Sequence, residues 1–111
     1  MITSPERPHV YYDCDYTLVR PTEGTPVNSI TFEGCSWEYN SNLVDEIKHS
    51  KARGHVVVVW SQGGSAWAHK VVEALGITDL VDVCIAKPSW FADDKPAEEI
   101  LDSTRLFYRE F

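Results

Sequence analysis

Two aspartates one residue apart, Asp13 and Asp15, close the apolar and aromatic run His9-Val10-Tyr11-Tyr12, and Thr17 follows two residues later. Carboxylates so placed can act as nucleophiles, as general acids or bases, or as oxygen ligands for a hard cation. Together they repel unless a cation, a proton or a set of backbone N–H groups offsets the charge. Three more chemistry-bearing groups also follow apolar runs. Ser61, Gln62 and Gly63 come after Val56–Trp60, Lys87 comes after Val81–Ala86, and the pair Asp93-Asp94 comes after Trp90-Phe91-Ala92. Each has an ordinary explanation when read alone. These are an acidic turn, a serine helix cap, a surface lysine before Pro88, and the acidic first turn of a helix that starts near Pro96.

The elements that must hold these groups alternate. Val, Tyr and Tyr before Asp13 suit a buried strand, because β-branched and aromatic side chains pack well on a pleated surface. Residues 27–39 carry Ile30, Phe32, Trp37 and Tyr39 on either side of Glu33-Gly34, the pattern of a β-hairpin. Asn40 or Ser41 caps a helix running to about Arg53, with Leu43, Val44 and Ile47 as its apolar stripe and Gly54 as its stop. The unbroken run Val56–Trp60 predicts a central strand covered by helices on both faces. A second helix runs from about Ser65 to Leu75 and ends at Gly76, and Val81–Ala86 is a third strand. Trp90–Ala92 reads as a very short fourth strand, Pro96 as the first turn of a helix through about Asp102, and Leu106-Phe107-Tyr108 as a possible edge strand. Residues 1–8 form a loose lead-in. Trp60 and Trp90 are expected in the core, and Trp37 either in the core or over the site. His9, His49, His55 and His69 are expected to be structural or exposed.

Strand–helix alternation means βαβ units and a parallel sheet. The fold class is therefore α/β, a three-layer Rossmann-like sheet with helices on both faces and a hairpin flap after the first strand. Asp13, Asp15, Ser61, Lys87, Asp93 and Asp94 then share the carboxyl edge of the sheet, where open α/β sheets bind ligands. Four carboxylates on one edge call for a divalent cation. A donor set of oxygens alone favours Mg²⁺ over zinc.

The 111 residues make one domain, and 43% apolar with 24% charged residues is ordinary for a soluble globular chain. A formal net charge of −7 disfavours long nucleic acid as a partner, though a nucleic-acid end stays open. Three dispersed cysteines, Cys14, Cys35 and Cys84, read as free thiols in a reducing compartment. No apolar run is long enough to span a bilayer, so the expected location is cytoplasmic, without membrane contact.

Asp13-Cys14-Asp15-Tyr16-Thr17 resembles the Asp-x-Asp-x-Thr signature of the haloacid dehalogenase superfamily of phosphohydrolases. Ser61 resembles its second motif, Lys87 its third, Asp93-Asp94 its acidic fourth, and residues 27–39 its flap. The resemblance implies that Asp13 attacks phosphorus and that Asp15 acts as general acid, then general base. It implies Ser61, Gln62, Gly63 and Lys87 around the phosphoryl oxygens, and Thr17 supporting the loop. Mg²⁺ would lie between Asp13, the Asp15 carbonyl and Asp93 or Asp94. The chain has no room for a cap domain. It therefore resembles the capless type, which takes larger or exposed phosphoesters or borrows a lid, here from a second copy or another partner. The expected activity is a phosphomonoester phosphatase acting on a small phosphorylated substrate. The alternatives are a phospho-accepting regulatory module and a catalytically silent phosphate-binding domain. Asp15, two residues beyond the acceptor, argues against the regulatory module.

Overall fold

The computed structural model describes residues 7–97 and 99. In chain order it forms β1 (His9–Asp13), β2 (Val19–Pro21), β3 (Ser29–Phe32), β4 (Cys35–Tyr39) and α1 (Ser41–Ala52). Then follow β5 (Val56–Ser61), α2 (Ser65–Leu75), a single 3-10 turn at Thr78–Leu80 and β6 (Val83–Ala86). The molecule is an α/β protein with two sheets. The first is parallel, in the order β1-β5-β6, and the second antiparallel, in the order β2-β4-β3.

Local chemistry explains the boundaries. The Asn40 side chain accepts from the Leu43 N–H at 3.3 Å and starts α1; the chain leaves that helix through Gly54 at φ +81°. Gly76, at φ +68°, ends α2 in the left-handed conformation that glycine adopts without penalty. Glu33 and Gly34 both have positive φ, +52° and +73°, as a two-residue hairpin turn requires, and bring Phe32 opposite Cys35. The predicted hairpin is thus present. It is widened by β2, a strand that no sequence pattern announces, because three residues containing Pro21 carry no periodicity. Pro21 sits on an edge strand, where its missing N–H costs no ladder bond.

In-register pairing divides the parallel sheet into two faces. Tyr12 lies beside Val59, with Val57 on the same face. Both helices bury their apolar stripes here, Leu43 and Ile47 from α1 and Ala68, Val71 and Val72 from α2, in one core with Tyr12, Val57 and Val59. The Tyr12 hydroxyl meets Ser50 Oγ at 2.9 Å in this core, and burial pushes the phenol above its ordinary pKa. The opposite face presents Tyr11, Val58, Trp60, Val83 and Ile85. Tyr11 remains 42% exposed and Val83 40%. The expected helices on both faces are therefore not found among the described residues, where α1 and α2 share one face. An apolar face shows that water is disfavoured there but does not say which segment covers it. The predicted helix through Asp102 and the strand at 106–108 lie outside the described residues, apart from the turn in which the Glu99 N–H donates to the Pro96 carbonyl at 3.0 Å.

Two further expectations are corrected. Trp90 is 91% exposed and so is not a core residue, and no strand forms at Trp90–Ala92. None of the described strands lies alongside Trp90–Ala92 to pair with it. Trp60 is half-buried on the open face, its ring 4.7 Å from that of Tyr11.

Asp82, just before β6, ties α1 to the sheet. Its Oδ2 accepts from the Val57 N–H and its Oδ1 from Lys51 Nζ, both at 2.8 Å. These bonds, the lysine's foremost, hold the carboxyl below its ordinary value of 3.8. A depressed pKa means stability that is present above 3.8 and lost as pH falls through the folded value. Asp82→Asn should therefore lower the thermal midpoint at pH 7 and have much less effect near pH 3. Calorimetry at the two pH values checks this.

Candidate active site

The loop after β1 is folded around a single carbonyl. The Cys14 oxygen accepts from the N–H groups of Thr17, Leu18 and Val19 at 3.1, 2.9 and 3.1 Å. Tyr16 takes φ +61°, and its N–H donates to the Val19 carbonyl at 2.7 Å. The Cys14 side chain is buried in the core, which leaves Asp13 half-buried and Asp15 exposed on either side of it. This tight turn allows two carboxylates to sit at one strand end. Burial, and then the charges of Asp13 and Asp15, push the Cys14 thiol up to about 12. A buried, protonated thiol is a poor nucleophile near neutral pH. Native alkylation with iodoacetamide at pH 8, read by mass spectrometry, should label exposed Cys35 first and leave Cys14 unmodified until denaturant is added.

Parallel pairing sets Asp13 at the end of β1, Ser61 at the end of β5 and Lys87 directly after β6 on the same edge. Lys87 extends past the end of the intervening strand, and its Nζ lies 3.1 Å from Asp13 Oδ1. The Thr17 hydroxyl donates to Asp13 Oδ2 at 3.0 Å, so both oxygens of that carboxylate are oriented. The Lys87 N–H donates to the Ser61 carbonyl at 2.9 Å, which fixes the base of the lysine. Nζ is also 5.6 Å from the centre of the Trp60 ring.

The Ser61 hydroxyl is buried and accepts from the Gly63 N–H at 2.9 Å, so its own proton can be donated to a ligand. It does not cap α2, whose N-terminal residue Gly64 has no capping side chain. The first amides of an 11-residue helix are therefore left without a side-chain acceptor beside Ser61 and exposed Gln62. Space at Gly63 is tight, and a larger residue there would push its neighbours by a few tenths of an ångström. A Cβ there would lie 3.3 Å from Ser61 Oγ and 3.3 Å from Trp67 Cδ1.

Asp93 and Asp94 are solvent-exposed neighbours. The hydrogen bond to Asp94, then the Lys95 N–H at 3.0 Å, hold the Asp93 carboxyl below the usual carboxylate range. Among the described residues no group of three or more His, Cys, Asp or Glu side chains is gathered to hold a metal. The donors of Asp13, Asp15, Asp93 and Asp94 are all oxygens and partly open to solvent, which is the chemistry a hard divalent cation takes.

One residue of this edge was not singled out from the sequence. Trp67, in the first turn of α2, donates its indole N–H to Asp15 Oδ1 at 2.8 Å. Its ring lies 5.6 Å from that of Phe32 and 5.5 Å from that of Trp37, which stack on each other at 5.1 Å. The available signal was a tryptophan six residues beyond Ser61, in the first turn of the following helix, since an indole N–H near a core needs an acceptor. Trp37 packs in this cluster and donates to the Phe32 carbonyl at 3.2 Å.

A separate hollow of about 310 Å³ lies between the flap base, α1 and the end of α2, bordered by Ile30, Tyr39, Val44, Lys48 and Leu75. None of the acidic or phosphate-binding candidates lines it. No helix among the described residues is long and apolar enough to cross a membrane. Comparison with protein-family models, curated proteins and solved structures finds no match.

Proposed function

We propose that the chain is a Mg²⁺-dependent phosphomonoester phosphatase of haloacid dehalogenase type, working through an aspartyl-phosphate. One observation carries the reading: Asp13, oriented on both oxygens by Lys87 at 3.1 Å and Thr17 at 3.0 Å, at a sheet edge shared with the Ser61 hydroxyl and an uncapped helix start. A lysine beside the carboxylate offers the positive charge that an incoming phosphate dianion needs.

In this reading an Asp13 oxygen attacks phosphorus and the bond from phosphorus to the ester oxygen breaks. Asp15 gives its proton to that departing oxygen. Asp15 then takes a proton from water, the resulting hydroxide attacks phosphorus, and the bond to Asp13 breaks. Inorganic phosphate leaves and both carboxyl groups return to their starting states. Lys87, Ser61 and Gln62 hold the phosphoryl oxygens, and Gly63 orients the Ser61 hydroxyl through its N–H. Mg²⁺ would be held by Asp13, the Asp15 carbonyl and Asp93 or Asp94. When bound, it supplies charge neutralisation between anionic nucleophile and anionic substrate. The substrate class is a small phosphorylated molecule, and a homodimer or another partner supplies any lid. Free thiols suit a reducing compartment, and we place the protein in the cytoplasm.

The test is turnover of p-nitrophenyl phosphate and a panel of sugar, nucleotide and oligonucleotide-end phosphates, with Mg²⁺ and with EDTA. Metal-dependent release of phosphate is expected. Stoichiometric labelling without turnover would replace the reading with a phospho-accepting module, and silence across the panel with a non-catalytic domain.

A further inference from the structure

We infer that Trp67 is a positioning residue that couples the hairpin flap to the Asp15 carboxylate. The inference rests on the phosphatase reading for Asp15's role, but its geometry stands apart from that reading. Asp15 is exposed and sits in a loop, where a carboxylate otherwise samples several rotamers. Its Oδ1 is held at 2.8 Å by the Trp67 indole N–H, a bond from a side chain with one donor and no alternative direction.

The indole is itself constrained from two sides. On one side Gly63 lies near enough that a side chain there would crowd the ring, an added Cβ falling 3.3 Å from Trp67 Cδ1. On the other side the ring joins Phe32 of β3 and Trp37 of β4 in a three-ring cluster with centroids 5.1 to 5.6 Å apart. The tip of the hairpin is clasped to the same helix by the ion pair between Glu33 and Lys70 at 3.3 Å. A chain of contacts therefore runs from hairpin tip through aromatic cluster to indole N–H to Asp15. When the hairpin shifts, the rings repack and the carboxylate moves with them. The proton donor is thus aligned only while the flap is seated on α2.

Trp67→Phe keeps the aromatic packing and removes the N–H. Phe32→Ala keeps the N–H and loosens the packing. In the active enzyme both should lower kcat roughly ten- to a hundred-fold, as a displaced catalytic group does, with KM within about two-fold of wild type. A residue that merely supported the fold would lower stability and leave kcat of the folded fraction unchanged. A second readout needs no substrate: in ¹⁵N-labelled protein the Trp67 indole N–H resonance should move in Asp15→Ala and stay fixed in Asp45→Ala. An indole signal indifferent to Asp15→Ala overturns the inference, whether or not any phosphoester is hydrolysed. So does a Trp67→Phe enzyme with wild-type kcat when Asp13→Asn is dead. A wild-type protein inactive across the panel removes the phosphatase reading instead, and the resonance shift still decides whether Trp67 positions Asp15.

Discussion

Asp13→Asn is expected to reduce phosphoester turnover by roughly 10³-fold or more, the scale on which loss of a covalent nucleophile acts. The substitution is nearly isosteric. Its side-chain oxygen can still accept from the Thr17 hydroxyl, which lies 3.0 Å from Asp13 Oδ2. What it removes is the anionic nucleophile and the charge paired with Lys87 at 3.1 Å. Both partners are about 30% exposed, so that ion pair contributes little to stability and the variant should fold. Initial rates at saturating substrate, with a melting curve for each protein, separate loss of chemistry from loss of structure. Retention of more than about a tenth of wild-type kcat would show that Asp13 is not the nucleophile.

Ile47→Ala should cause a large loss of stability. Ile47 is fully buried on α1, in the cluster that joins β1, β5 and both helices. Truncation removes three carbons from a close-packed interior and leaves a cavity, at a cost of about 2–5 kcal/mol. For a domain of this size that corresponds to a fall in thermal midpoint of roughly 10 °C or more. Urea titration should show a lower midpoint concentration with an unchanged slope. Val27→Ala, at a fully exposed position, is the control and should stay within about 0.5 kcal/mol of wild type. Equal effects at the two positions would mean that α1 does not pack on the sheet as described.

Much of this architecture follows from local rules that the chain states openly. Asn40 as a cap, Gly54 and Gly76 as stops and Glu33-Gly34 as a hairpin turn each act within a few residues of themselves, so pattern and element coincide. The same holds for the edge chemistry of Asp13, Ser61 and Lys87. Three parallel strands put their ends on one side, and the residue that follows each apolar run is thereby placed with the others. Where a short segment depends on long-range partners, the pattern was silent or misleading. Residues 19–21 became a strand because β4 lies alongside, and Trp90–Ala92 did not because none of the described strands pairs with it.

Composition and spacing were enough to specify a sheet with carboxylates at its edge, since periodicity encodes burial and the first charged residue encodes the exit from the core. They could not specify that Lys87 reaches Asp13, that Asp93 and Asp94 are both exposed, or that both described helices share one face. Nor could they join Trp67 to Asp15, 52 positions away along the chain. Such pairings depend on how strands order themselves and which side chains then meet, and the free energy deciding that order is spread over the whole core rather than written in any one segment.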